Sequence, residues 1–155
     1  MSLFKNLIAA ASIALIGFTS LVQAGHDTET DANDVILAGH DAVAYFTQNK
    51  PVLGSSEYTA EYNGAVYRFS SEKNRDTFRA SPASYAPVYG GFCAYGMTFG
   101  KKFEIDGQAF EIVDGKLYVN KNLDVYKAWK EDVATHIEQA NTAWPKVENT
   151  PAASL

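Results

Sequence analysis

The chain has 155 residues, with 18 Asp and Glu against 13 Lys and Arg and a formal net charge of −5. That acidic balance argues against nucleic acid or an anionic membrane surface as a partner, because both call for a basic footprint. Its 9 Tyr, 9 Phe and 2 Trp are enough for a core without disulfides, and the one cysteine excludes an internal disulfide.

Taken in order, Lys5 precedes a nearly uninterrupted apolar run over residues 7–22, and Val22-Gln23-Ala24 places short side chains at the positions a signal peptidase reads. Residues 1–24 are therefore expected to be a signal peptide. The remainder is expected to be periplasmic or secreted, with no membrane attachment after cleavage. Residues 25–33 are polar and aperiodic and read as a disordered leader.

The short apolar run 34–37 opens the folded region, which spans residues 34–147. Residues 39–46 read as a turn entering a helix, with Asp41 as N-cap. Asn63-Gly64 is the preferred pair for a two-residue hairpin turn; it sets Tyr62 opposite Ala65, Ala60 opposite Tyr67 and Tyr58 opposite Phe69, all on one face. A serine-capped helix over 71–80 follows, with Glu72 in its first turn and Arg79 in its last, stopped by Ser81-Pro82.

Residues 89–97 then contain the only cysteine, Cys93, four residues before Met97. In a helical segment the thiol and thioether would share a face. Residues 102–105 read as a strand ended by Asp106-Gly107. A second hairpin about Asp114-Gly115 pairs Ile112 with Leu117 and Phe110 with Val119. Asn122 caps a long helix whose apolar stripe runs Val125, Trp129, Val133, Ile137, Ala140 and Trp144, ended by Pro145. Residues 148–155 read as a flexible tail. The expected fold is a small single α+β domain: two β-hairpins packed against short helices and a long C-terminal helix.

Four segments, Gly39-His40-Asp41-Ala42-Val43-Ala44-Tyr45-Phe46, Tyr67-Arg68-Phe69-Ser70-Ser71-Glu72, Phe78-Arg79-Ala80-Ser81-Pro82-Ala83-Ser84-Tyr85 and Gly90-Gly91-Phe92-Cys93-Ala94-Tyr95-Gly96-Met97, together with Ala140-Asn141-Thr142-Ala143-Trp144-Pro145, resemble an exported YHS-domain protein. The resemblance implies a metal-binding module of YHS or TRASH type, with cysteines at three positions. Here those positions hold Ala44, Ser70 and Asn74, and side chains without thiolates do not replace them for a soft ion.

A different metal site is the leading expectation: Cys93, His40 and Asp41, with Met97 as a further sulfur donor, suited to copper before zinc in a handling or sensing role. The alternatives are a metal-free accessory domain that binds a partner protein, with Cys93 structural, and a thiol enzyme in which Cys93 takes His40 or His136 as its base. No complete catalytic motif occurs, so a non-enzymatic protein is expected.

Overall fold

The computed structural model describes residues 27–155. The expected signal peptide and the first two residues of the expected leader lie outside the described residues. In chain order the main elements are α1 (Ala42–Gln48), β1 (Ser55–Tyr62), β2 (Ala65–Phe69), α2 (Glu72–Ala80), α3 (Ala94–Met97), β3 (Asp106–Val113), β4 (Lys116–Asn120), α4 (Leu123–Trp129) and α5 (Val133–Val147). This is a small α+β fold. No helix among the described residues is long and apolar enough to cross a membrane.

Each hairpin is its own two-stranded antiparallel sheet. Both tight turns have positive φ at both central residues, 50° and 78° at Asn63-Gly64 and 49° and 72° at Asp114-Gly115, which is why Asn-Gly and Asp-Gly stand there. The expected pairs Tyr62↔Ala65, Ala60↔Tyr67, Ile112↔Leu117 and Phe110↔Val119 all form. Tyr58 does not face Phe69, because the ladder slips after Thr59↔Arg68 and resumes at Ser55↔Phe69. The cause lies just before β1: Gly54 rests flat against the backbone of Arg68, where a Cβ would come within 2.4 Å of the carbonyl carbon, so the chain closes on β2 early.

Residues 34–36 lie along the outer side of β2, with a parallel bridge Val35↔Val66 and the bond Ile36 N–H to Val66 O at 3.1 Å. The two hairpins are joined through the loop after α2, where Val88 N–H donates to Leu117 O at 3.0 Å. β4 sends alternate residues to opposite sides. Leu117 and Val119 enter one apolar cluster with Ile36, Tyr45, Phe69 and Phe78, while Tyr118 enters a second with Met97, Trp129 and Ala140. A strand placed between two clusters is buried on both faces, which accounts for its unbroken run of buried residues from Leu117 to Asn120.

Three expectations change. The single long C-terminal helix is two helices, α4 and α5, because Asp132 breaks the run and caps the second by accepting from Thr135 N–H at 3.2 Å. Pro145 sits inside α5, which continues to Val147 despite the one N–H donor that the proline lacks. Residues 102–105 are not a strand: the Phe103 carbonyl is taken by Cys93 N–H at 3.1 Å, and β3 begins at Asp106.

Candidate functional site

Asp41 is the N-cap of α1 and is fully buried. Oδ1 accepts from Val43 N–H at 2.9 Å and Ala44 N–H at 3.1 Å, the local geometry an N-cap carboxylate adopts. Oδ2 reaches across the fold. It accepts from Ser70 N–H at 2.8 Å, from the Ser70 hydroxyl at 2.7 Å and from Asn74 Nδ2 at 2.8 Å. Asn74 is itself held in place, because its backbone N–H donates to the Ser71 side chain that caps α2. One carboxylate thus joins the start of α1, the end of β2 and the first turn of α2. The residues it gathers, Ala44, Ser70 and Asn74, are the three that stand where a YHS-type metal module is expected to place cysteines.

Five donors leave the Asp41 oxygens little capacity for a metal ion, since a carboxylate offers about four lone-pair sites. His40 precedes it and is differently engaged. Its Nδ1 lies 3.0 Å from Leu37 O, and a carbonyl only accepts, so Nδ1 donates its proton there. The ring packs flat on Gly107, where a Cβ would come within 2.2 Å of Nδ1. Tyr45, whose hydroxyl donates to Gly107 O at 2.8 Å, secures the same contact. Burial, with Asp106 and Asp41 nearby, raises the Tyr45 phenol well above its ordinary range, so it stays protonated.

Cys93 is the N-cap of the four-residue α3. Its sulfur accepts from Gly96 N–H at 3.4 Å and Lys121 N–H at 3.3 Å, and lies 3.7 Å from Asn120 Oδ1. Cys93 packs in the first apolar cluster and Met97 in the second. Among the described residues, no group of three or more His, Cys, Asp or Glu side chains is arranged to hold a metal ion. His136, the other expected base, stacks on Trp129 at 5.7 Å and turns Nδ1 to the Trp129 carbonyl at 2.8 Å.

Burial raises the Cys93 thiol above its ordinary pKa, against the smaller opposing effect of the backbone N–H groups of Gly96, Lys121 and Tyr95. The neutral form is therefore favoured in the folded chain. For an acid whose pKa is raised by folding, this contribution to stability is intact below the unfolded thiol's pKa and declines as pH rises above it. Near neutral pH the native protein should react with an aromatic disulfide reagent only as fast as it opens, and completely once unfolded. Rapid stoichiometric labelling of the native protein would show an accessible thiolate and contradict this account.

Sequence reasoning missed Asn120. It is fully buried, and Oδ1 accepts from Tyr95 N–H at 3.0 Å, while Nδ2 has no partner among the described residues. It also missed Ser70 and Asn74 as partners of Asp41. A serine and an asparagine flanking a capped helix start carry no signal of a carboxylate 29 and 33 residues earlier.

Residues 43–89 match the family model of the YHS domain. The matched segment contains Ala44, Ser70 and Asn74, and it stops short of Cys93. No similar curated protein and no similar solved structure was found.

Proposed function

From the match of residues 43–89 to the YHS-domain model we propose an exported, non-enzymatic accessory domain that engages a partner protein, its interior held by hydrogen bonds in place of a metal ion. The observation that carries this reading is the five-donor environment of Asp41, which gathers Ala44, Ser70 and Asn74, the positions where the resemblance to YHS-type metal modules implies thiolates. Cys93 fits the same reading as a structural residue, its sulfur accepting two backbone N–H groups in a buried setting. Phe99 and Phe103, 67% and 39% exposed on the stretch after α3, supply apolar surface of the kind a protein partner covers.

The test is thermodynamic linkage. A metal present at about 100 times its dissociation constant would add about 2.7 kcal/mol to stability if it bound only the folded chain. Thermal unfolding with excess Zn(II), or with Cu(I) under reducing conditions, should leave the melting temperature unchanged. A rise that disappears in Cys93→Ser or His40→Ala would overturn the proposal and restore a Cys93-centred site.

A further inference from the structure

Residues 27–33 are hydrogen-bonded onto the body of the fold. Asp27 N–H donates to Glu148 O at 3.0 Å, Glu29 N–H to Gly90 O at 2.9 Å and Asp31 N–H to Val35 O at 3.0 Å, so the segment lies across the C-terminal end of α5 and the loop before α3. Its path is built into the fold. At Gly90 (φ 63°) a Cβ would stand 2.4 Å from Asp27 O and 3.2 Å from the Trp144 ring, so only glycine lets the strap pass.

Beneath the strap is a cavity of about 300 Å³ lined by Asp27, Glu29, Phe92, Lys102, Glu104 and Ala152, among others. The Lys102 side chain is 0% exposed. Its ammonium meets Asp27 Oδ2 at 3.1 Å, Glu148 O at 3.2 Å and Thr150 O at 2.6 Å, and it stands 5.1 Å from the Phe92 ring centroid and 5.4 Å from that of Trp144. The same ammonium thereby links the strap to residues 148 and 150 after α5.

The charges facing Glu29 are mostly of its own sign. Asp31 comes from the strap and Glu104 from the stretch before β3. Asp27 and Lys102 share the cavity, the lysine already committed to Asp27. Lys121 of the chain after β4 offsets Glu104 at 3.2 Å, and Arg68 of β2 acts on Asp31.

We propose that a proton on Glu29 keeps the strap of residues 27–33 closed over the Lys102 cavity, and that loss of this proton loosens it. In the closed state Glu29 is half-buried with the Glu104 and Asp31 charges acting on it, a setting that favours the neutral acid; in the open state it is solvated and ionises readily. Burial first, then Glu104 and Asp31, raise the carboxyl from 4.5 to about 7. A carboxyl raised in the closed state stabilises that state fully at low pH, and the stabilisation falls as pH climbs from about 4.5 to about 7. The strap then becomes a free N-terminal arm, and the Lys102 ammonium loses its carboxylate partner.

Hydrogen exchange at the Asp27 and Glu29 amides, corrected for intrinsic rates, tests this between about pH 5 and pH 8. Protection should fall by roughly tenfold or more across that range, a value that discounts the shift for partial exposure. Glu29→Gln should hold protection flat, and Glu104→Gln should shrink the pH dependence. Flat protection in the unaltered chain, or an undiminished slope in Glu29→Gln, would overturn the proposal. If Glu29→Gln leaves the strap unprotected at every pH, Glu104→Gln decides, and an unchanged slope there overturns it.

Discussion

Asp41→Ala should destabilise the protein by about 3–5 kcal/mol, read as a fall in the urea midpoint with little change in slope. Two losses combine. The α1 N-cap disappears, worth about 1 kcal/mol by itself. The larger loss comes from the donors left behind: Ser70 N–H, Asn74 Nδ2 and the first amides of α1 all turn toward a carboxylate that is gone. Asp41→Asn should fall between, at about 2–3 kcal/mol. Its amide oxygen can still accept from Val43 and Ala44, but its NH2 would confront Ser70 N–H, which has no way to accept, while the Ser70 hydroxyl must turn and the Asn74 amide flip to receive it. If both substitutions cost under about 1 kcal/mol, the network is peripheral to stability and its part in this account fails.

The second large effect lies at Trp129. It is fully buried at the end of α4, with its ring 5.5 Å from Tyr118 and 5.7 Å from His136 and its indole N–H donating to Glu111 at 3.0 Å. Trp129→Ala should cost about 3–5 kcal/mol through cavity formation and lost contacts. Trp129→Phe, which keeps most of the apolar surface but loses the Glu111 bond, should cost about 1–2 kcal/mol. The chain has 2 Trp, so fluorescence of Trp144 remains to follow unfolding in either variant. A small effect of Trp129→Ala would mean that α4, α5 and β4 do not share the core described here.

What was legible in the sequence was local. The Asn63-Gly64 and Asp114-Gly115 turns need positive φ, a demand two residues meet on their own, and the strand pairing beside each turn follows from it. Asp41 reads as an N-cap because its Oδ1 partners lie two and three residues on. Its other oxygen is satisfied by residues from β2 and α2, and no periodicity announces that. Cys93 and Met97 show the limit of spacing arguments: they stand four apart, yet Cys93 is the residue before α3 and packs in one cluster while Met97 packs in the other. The strap and the end of the chain are polar enough to read as loose. They are linked by Lys102, a buried lysine whose partners are mostly main-chain carbonyls, and such an anchor leaves no compositional trace.

The YHS match extends from Val43 to Tyr89, so it bears on the Asp41 network and not on Cys93. Ala44, Ser70 and Asn74 lie within the matched segment and surround the Asp41 carboxylate, which accepts from the Ala44 N–H, the Ser70 hydroxyl and the Asn74 amide. On the proposed function, the hydrogen bonds to Asp41 hold this part of the fold without a metal ion. Elemental analysis of untagged protein, purified without chelator from cells supplied with copper and zinc, tests it most directly. The account predicts substoichiometric metal in the unaltered chain, in Cys93→Ser and in His40→Ala alike; one equivalent of copper or zinc in the unaltered chain, lost in either variant, would contradict it.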